Sequence, residues 1–380
     1  MNILMINTLY APYAVGGAEV SVQLLAEELA KSGHKVRVLT LSNEKKRKKE
    51  LLNGVDVVYL PLANIYWPFQ KKRGRISRLI WHFLDLYNPI MARKVGKEID
   101  DFNPDVVHTN NISGFSVAVW KKIKNKKIKL VHTSRDYYLF HPNSTMFNKN
   151  GNMHTSLASV RFWSFIKRRM SRHVDTYIGI SDYILKFHRE DGFFIGSEVD
   201  CIYNAVDVIE VEKLTSRELR VGFIGRLTED KGFDIFCTIA EKYKGDTSIK
   251  FSAAGRFNAD EEELRVRAHK SEISLLGFIP ISEFLQNVDV VILPVKWREP
   301  FGRVVAESAL AGKIVITNFV GGITEISELL GNIYQLKDVD MILTSRKVGM
   351  PGVDINNPFE KNQVYKRYLQ YYLSDHDDDI

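Results

Sequence analysis

Two cysteines in 380 residues, Cys201 and Cys237, are too few to staple a fold or to build a cluster of thiolate metal ligands. Their placement on separate segments of a long chain suits a reducing compartment, so a cytoplasmic location is expected. No run of 18 apolar residues occurs, which argues against a membrane-spanning helix. The apolar start MNILMINTLYAPYAVGGAEV lacks the basic leader and small-residue cleavage site of a signal peptide and reads as a buried first strand. Several catalytic spacings are also missing. There is no GxxxxGK[ST], no GxSxG and no HExxH, and AVGGAE after the first strand lacks the third glycine of a GxGxxG. A P-loop, a hydrolase elbow, a zinc-protease helix and a dinucleotide fingerprint are therefore unsupported.

What is present is the composition of a soluble globular protein, 45% apolar and 26% charged. A chain of this length exceeds one ordinary core, so two domains are expected. The formal charge of +7 is unevenly spread. Basic clusters lie at Lys45 to Lys49, Lys71 to Arg75, Lys121 to Lys129 and Arg161 to Arg172, all in the first half. The last interleaves Phe162, Trp163, Phe165, Ile166 and Met170 with Arg and Lys. Such a helix either rests peripherally on anionic lipid or packs its aromatic side on a sheet with its charges solvated. Nucleic acid is not an expected partner, because the clusters are scattered and no binding module accompanies them.

Short β-branched runs alternate with helix-length segments. NILMIN, KVRVLTL, VDVVYL, PDVVHT, IKLVHT and TYIGIS are nearly continuously apolar, as strands covered on both faces must be. The pattern restarts with RVGFIG, IKFSAAG, ISLLGF, VDVVILP and KIVITN. The fold class is thus α/β, with two Rossmann-like, doubly wound parallel-sheet domains facing a cleft. The break falls in the polar, acidic stretch Ile202 to Glu218, giving domains of 1–205 and 206–357. After Gly331 the pattern thins, and the chain ends on a helix at 358–375 that can dock on either domain.

Candidate chemistry gathers where strands end. In GFIGRLTEDKGFDIF, Gly225 closes a strand, Arg226 follows, and Lys231 stands just before Gly232 at a helix start. Helix-opening amides, an Arg fork and a Lys point charge complement a diphosphate. In KWREPFGRVVAESALAGKIVITNFVGGITEI, Pro300 is expected in the first turn of a helix, leaving the amides of Phe301, Gly302 and Arg303 for hydroxyls or phosphate. Glu299 sits just outside that start. Glu307 lies among Val304, Val305, Ala306, Ala309 and Leu310, where a vicinal diol such as ribose suits it better than water. Gly321 and Gly322 offer side-chain-free backbone to a ligand. In the first half His132, followed by Arg135 and Asp136, and His108 are expected at strand ends, and Gly16 with Gly17 allows close backbone approach to a phosphate.

At these residues the chain resembles retaining glycosyltransferases of the two-domain GT-B type, glycosyltransferase family 4. The resemblance rests on the E-x7-E pair Glu299 and Glu307 within EPFGRVVAE, with GGITE, GRLTEDKG, GGAE, HTSRDYY, GISDYI and IYNAVD in the family's order over essentially the whole chain. It implies a nucleotide-diphosphate sugar as donor and a glycan or lipid-linked saccharide as acceptor, with no obligatory metal or other cofactor. By the same resemblance Arg226 and Lys231 hold the diphosphate beside Gly225, Glu307 the ribose, and Glu299 with the Phe301 to Arg303 amides the sugar. LGFIP around Phe278 faces the base, His132 contacts the transferring sugar, Gly16 and Gly17 lie near diphosphate and acceptor, and the final helix crosses back onto the first domain. Ala205 in IYNAVD replaces the family's usual Gly, and the segment after Gly331 is shorter than usual. Alternatives are a nucleotide-sugar epimerase on the same fold and a non-catalytic sugar-nucleotide binder.

Overall fold

A computed structural model describes residues 1–13, 16–70, 73–212, 218–258, 261–345 and 356–374. The chain divides into two compact units, one of residues 1–146, 153–205 and 359–380, the other of residues 147–152 and 206–358.

The first unit is an eight-stranded sheet ordered β10-β9-β6-β5-β1-β2-β4-β3. Its strands are β1 (Asn2–Ile6), β2 (Lys35–Ser42), β3 (Lys48–Leu52), β4 (Val55–Pro61), β5 (Val106–Thr109), β6 (Lys129–Ser134), β9 (Thr176–Gly179) and β10 (Glu198–Cys201). All pairs are parallel except β3 with β4. Around the sheet lie α1 (Gly17–Lys31), α2 (Arg75–Leu86), α3 (Pro89–Phe102), α4 (Ala118–Lys124), α5 (Ala158–Met170), α6 (Asp182–Glu190) and the last helix, α13 (Lys361–Leu373). The second unit has a short hairpin, β7 (Phe147–Asn148) with β8 (Gly151–Asn152), and a six-stranded sheet ordered β13-β12-β11-β14-β15-β16. These strands are β11 (Leu219–Ile224), β12 (Ile249–Ala254), β13 (Ser274–Gly277), β14 (Val290–Leu293), β15 (Ile314–Thr317) and β16 (Ile333–Gln335). Its helices are α7 (Phe233–Lys242), α8 (Glu262–Lys270), α9 (Ile281–Gln286), α10 (Arg303–Leu310), α11 (Ile323–Leu329) and α12 (Val339–Ser345).

The central strands are buried along their length, β14 and β15 at every position, which is why their sequences lack polar alternation. In each sheet the chain winds outward to one side and then returns to the other. The reversal falls between β1 and β5 in the first unit and between β11 and β14 in the second. At such switch points adjacent loops part and leave room at the carboxyl ends of the strands.

The expected boundary of 1–205 and 206–357 omits the hairpin Phe147–Asn152. It belongs to the second unit because Asn152 donates to Lys296 O at 3.0 Å and accepts from Arg298 N at 3.0 Å. Residues 71–72, 213–217, 346–355 and 375, within the expected basic cluster, linker, thin segment and terminal helix, lie outside the described residues. No described helix is long and apolar enough to cross a membrane.

The helix α13 packs on the first unit, burying Val364, Tyr365, Tyr368 and Tyr372 in the same core as Val22, Leu25 and Leu29 of α1. One anchor is polar. Tyr372 Oη and His108 Nδ1 share a hydrogen bond of 2.6 Å, and His108 Nε2 reaches Thr133 Oγ1 at 2.7 Å, so both ring nitrogens are satisfied in the interior. The substitution Tyr372→Phe strands one of them and is expected to lower stability by about 1–3 kcal/mol, measured by chemical denaturation. An unchanged midpoint would show that this contact does not hold the helix.

Candidate functional site

In the second unit the switch point lies where Gly225 and Arg226 leave β11 and Pro294 leaves β14. Chain geometry there is fixed by backbone meeting backbone. Gly232 caps α7 with φ +79°, and a Cβ at this position would lie 1.8 Å from Pro294 O. Only glycine permits both the left-handed conformation and the approach. The opening of α7 is thereby pressed on the segment after β14, and Lys231, one residue earlier, meets Glu299. Lys231 Nζ donates to Glu299 Oε2 at 2.6 Å and lies 4.8 Å from the Trp297 ring centroid.

The loop carrying Glu299 is braced on three sides. Lys296 N donates to Asp230 O at 3.0 Å, and Lys296 Nζ to Asp234 Oδ2 at 2.6 Å. Asn152 clasps it from the hairpin. On the third side stands the Gly321-Gly322 pair. A Cβ on Gly321 would fall 2.3 Å from Glu299 O, one on Gly322 would fall 2.5 Å from Pro300 O, and Gly322 N donates to Glu299 O at 2.8 Å. Contact with the Glu299–Pro300 backbone therefore requires glycine at both positions, a reason that the sequence reading does not include.

One correction concerns the helix start. The helix α10 opens at Arg303 with Gly302 as its cap, at φ +96°, so Pro300 and Phe301 precede it and are not its first turn. The amides that an α-helix cannot satisfy internally therefore begin at the Gly302 cap. Glu307 is on this helix, 9% exposed, and accepts from Arg303 Nε at 2.7 Å. Burial pushes its carboxyl up, against the pull of Arg303. Arg226 is about half exposed and donates to Asp230 Oδ2 at 2.6 Å. Phe278 follows β13 as a largely exposed ring with the Arg256 guanidinium 4.7 Å from its centroid. Arg226, Lys231 and Glu299 therefore share the carboxyl edge between β11 and β14, with Glu307 one helix turn inside α10.

In the first unit the candidate histidines are not at strand ends. His132 precedes the end of β6 by two residues, and its ring is enclosed by Trp120, Tyr177 and Phe194. Its Nδ1 shares a hydrogen bond of 2.9 Å with Thr109 Oγ1. Burial holds both His132 and His108 well below the usual imidazole range, so both stay neutral. His132 is 2% exposed, yet it lines the small cavity at the end of β6 together with Ser134, Arg135 and Asp136. The residues that do emerge from β6 are Arg135 and Asp136. Arg135 Nε donates to Asn110 Oδ1 at 2.9 Å and another of its nitrogens to Asn204. Burial raises the Asp136 carboxyl to about 6. With Asn110, His132 and Ser134 they line a cavity of about 10 Å³, room for a single water. Position immediately after the strand, rather than residue type, is the signal that finds them. Gly16 caps α1 in an extended conformation, and its amide donates to Glu19 Oε2 at 2.9 Å, so that amide is engaged by the helix's own glutamate.

Residues 15–210 match Glycosyltransferase Family 4, and residues 218–342 match Glycosyl transferases group 1. An uncharacterized 42.6 kDa protein in the cps region of Klebsiella pneumoniae is 46% identical over 98% of this chain and 100% of its own. An uncharacterized glycosyltransferase of Methanocaldococcus jannaschii is 26% identical over 86% of this chain and 82% of its own. Among solved structures, sucrose-phosphate synthase from Thermosynechococcus elongatus superposes with a TM-score of 0.73 at 15% identity, covering 98% of both chains. Anabaena HepE in complex with UDP and glucose gives 0.69 at 17% identity, covering 97% of this chain and 98% of its own. The fold is that of the GT-B enzymes, two parallel-sheet α/β domains. The chain belongs to glycosyltransferase family 4 and is a glycosyltransferase.

Proposed function

We propose that the protein transfers a sugar, with retention of configuration, from a nucleotide-diphosphate sugar to a glycan or lipid-linked saccharide at the cytoplasmic face of a membrane. The observation that carries this reading is the Lys231–Glu299 pair beside Arg226 at the carboxyl edge of β11 and β14. An Arg fork and a Lys point charge match a diphosphate, and they stabilise the negative charge that builds on the departing nucleotide without an obligatory metal. In this reading the diphosphate competes with Glu299 for Lys231, which leaves the Glu299 carboxylate to the donor sugar's hydroxyls. Glu307 takes the ribose: its carboxyl is buried, and a vicinal diol supplies hydrogen bonds that water does not reach. Phe278 gives an aromatic face to the base.

The Klebsiella pneumoniae relative lies in a cps region, which supports capsular polysaccharide as the product class. HepE is known with UDP and with UDP-glucose, which places UDP-sugars first among donors to try.

Incubation with UDP-, GDP- and ADP-sugars, with and without acceptor extracts, is expected to give acceptor-dependent nucleotide release that persists in EDTA. Epimer formation, or binding without turnover, would replace this reading with another. Loss of one preorganised charge donor typically costs about a hundredfold or more, so Lys231→Ala is expected to lower kcat on that scale. Near-wild-type turnover would remove Lys231 from the site.

A further inference from the structure

Two helices of the first unit bury an ionisable side chain on their inner side and leave large apolar side chains outside. On α2 Trp81, Asp85 and Leu86 are buried and Ser77 is half-buried, whereas Ile76, Leu79, Ile80, Phe83 and Leu84 face solvent. On α5 Val160, Ser164 and Lys167 are buried, and Phe162 and Phe165 are 53% and 66% exposed. An amphipathic helix packed on a water-soluble core has the opposite arrangement.

The inversion is held by buried hydrogen bonds. Asp85 Oδ1 accepts from Gly114 N at 2.6 Å and Asp85 Oδ2 from Tyr138 Oη at 2.8 Å. Lys167 Nζ donates to Tyr138 O at 2.6 Å and lies 3.6 Å from that ring's centroid. Asp85 and Lys167 are committed to these interior partners, so neither helix can roll to hide its apolar side without stranding buried hydrogen-bonding groups. The two apolar stripes also meet. The Phe83 ring lies 5.9 Å from Phe162 and 5.2 Å from Trp163, centroid to centroid.

A contiguous apolar face of this kind marks an interaction surface, and its charge selects the occupant. Arg75, Arg78, Arg161, Arg169 and Arg172 are exposed on α2, α5 and the turn Ser171–His173 that follows, and these segments carry no exposed Asp or Glu. We propose that this face docks on an anionic bilayer, with the α2 stripe and the two α5 phenylalanines entering the headgroup boundary and the arginines meeting lipid phosphates. This deepens the reading of a membrane-associated transferase and rests on it for its purpose. The docking itself is independent of catalysis.

The test is flotation of the full chain with vesicles of phosphatidylglycerol and phosphatidylcholine, and of phosphatidylcholine alone, alongside acceptor-free nucleotide release and light scattering. Binding to the anionic vesicles is expected at low salt. It should weaken severalfold at about 1 M salt, where the screening length is about 3 Å, and at least tenfold in Ile76→Asp/Ile80→Asp, with nucleotide release unchanged. Phe165→Asp, on the other helix, should lose binding too, which guards against a folding defect in the first variant. Equal binding by the variants, or equal binding to neutral vesicles, would overturn the proposal. So would a dimer that the same substitutions dissociate, since a second copy would then cover the face. If vesicle binding holds but no donor turns over, the transferase reading fails and the docking surface stands.

Discussion

The site in the second unit depends on one close approach, that of Gly232 to the carbonyl of Pro294. It brings the start of α7 against the end of β14, and so sets a cation of one loop on a carboxylate of another. Everything else near Glu299 tightens that arrangement. Asp230, Asn152 and the glycine pair after β15 hold the loop by its own backbone, so Glu299 and Lys231 are positioned before any ligand arrives. The diphosphate proposed for this site then has only to draw the Lys231 side chain off Glu299, the backbones of both loops being already in place.

The first unit spends its buried polar groups differently. His108, Thr133 and Tyr372 fasten the last helix, His132 fills an aromatic box, and Asp85 with Lys167 fixes which side of α2 and α5 meets solvent. Of these, His132 also lines the small cavity where β6 ends. Arg135 and Asp136 line it too, and the raised carboxyl of Asp136 reflects the same withdrawal from water that keeps the histidines neutral.

Much of this was legible in the sequence. The long central strands announced themselves through continuous apolar runs, and the second-unit residues through their place after strands. Besides the two-residue strands of the hairpin, three short strands of the two main sheets escaped. β3 is a charged antiparallel edge, β10 is a polar edge, and β16 is three residues long, and edges are kept short and polar because their free backbone would otherwise pair with another chain. His132 lies inside its strand and not at its end, because β6 runs two residues further, to Ser134. The Pro300 helix start misled because a proline suited to a first turn also suits the loop backbone that Gly322 packs against. α2 was invisible as a surface because periodicity reports that a helix has two sides, and only its buried Asp85 tells which one faces in. For α5 the sequence left lipid and core packing open, and the structure divides the residues: Trp163 packs against α2, and Phe162 and Phe165 face out.

The central claim is that the Lys231–Glu299 contact marks the seat of a diphosphate. A crystal structure of the protein soaked with a nucleoside diphosphate tests it most directly. The account predicts phosphate oxygens within hydrogen-bond distance of Arg226 and Lys231, with Lys231 drawn off Glu299. A nucleotide bound elsewhere, with the Lys231–Glu299 contact intact, would contradict it.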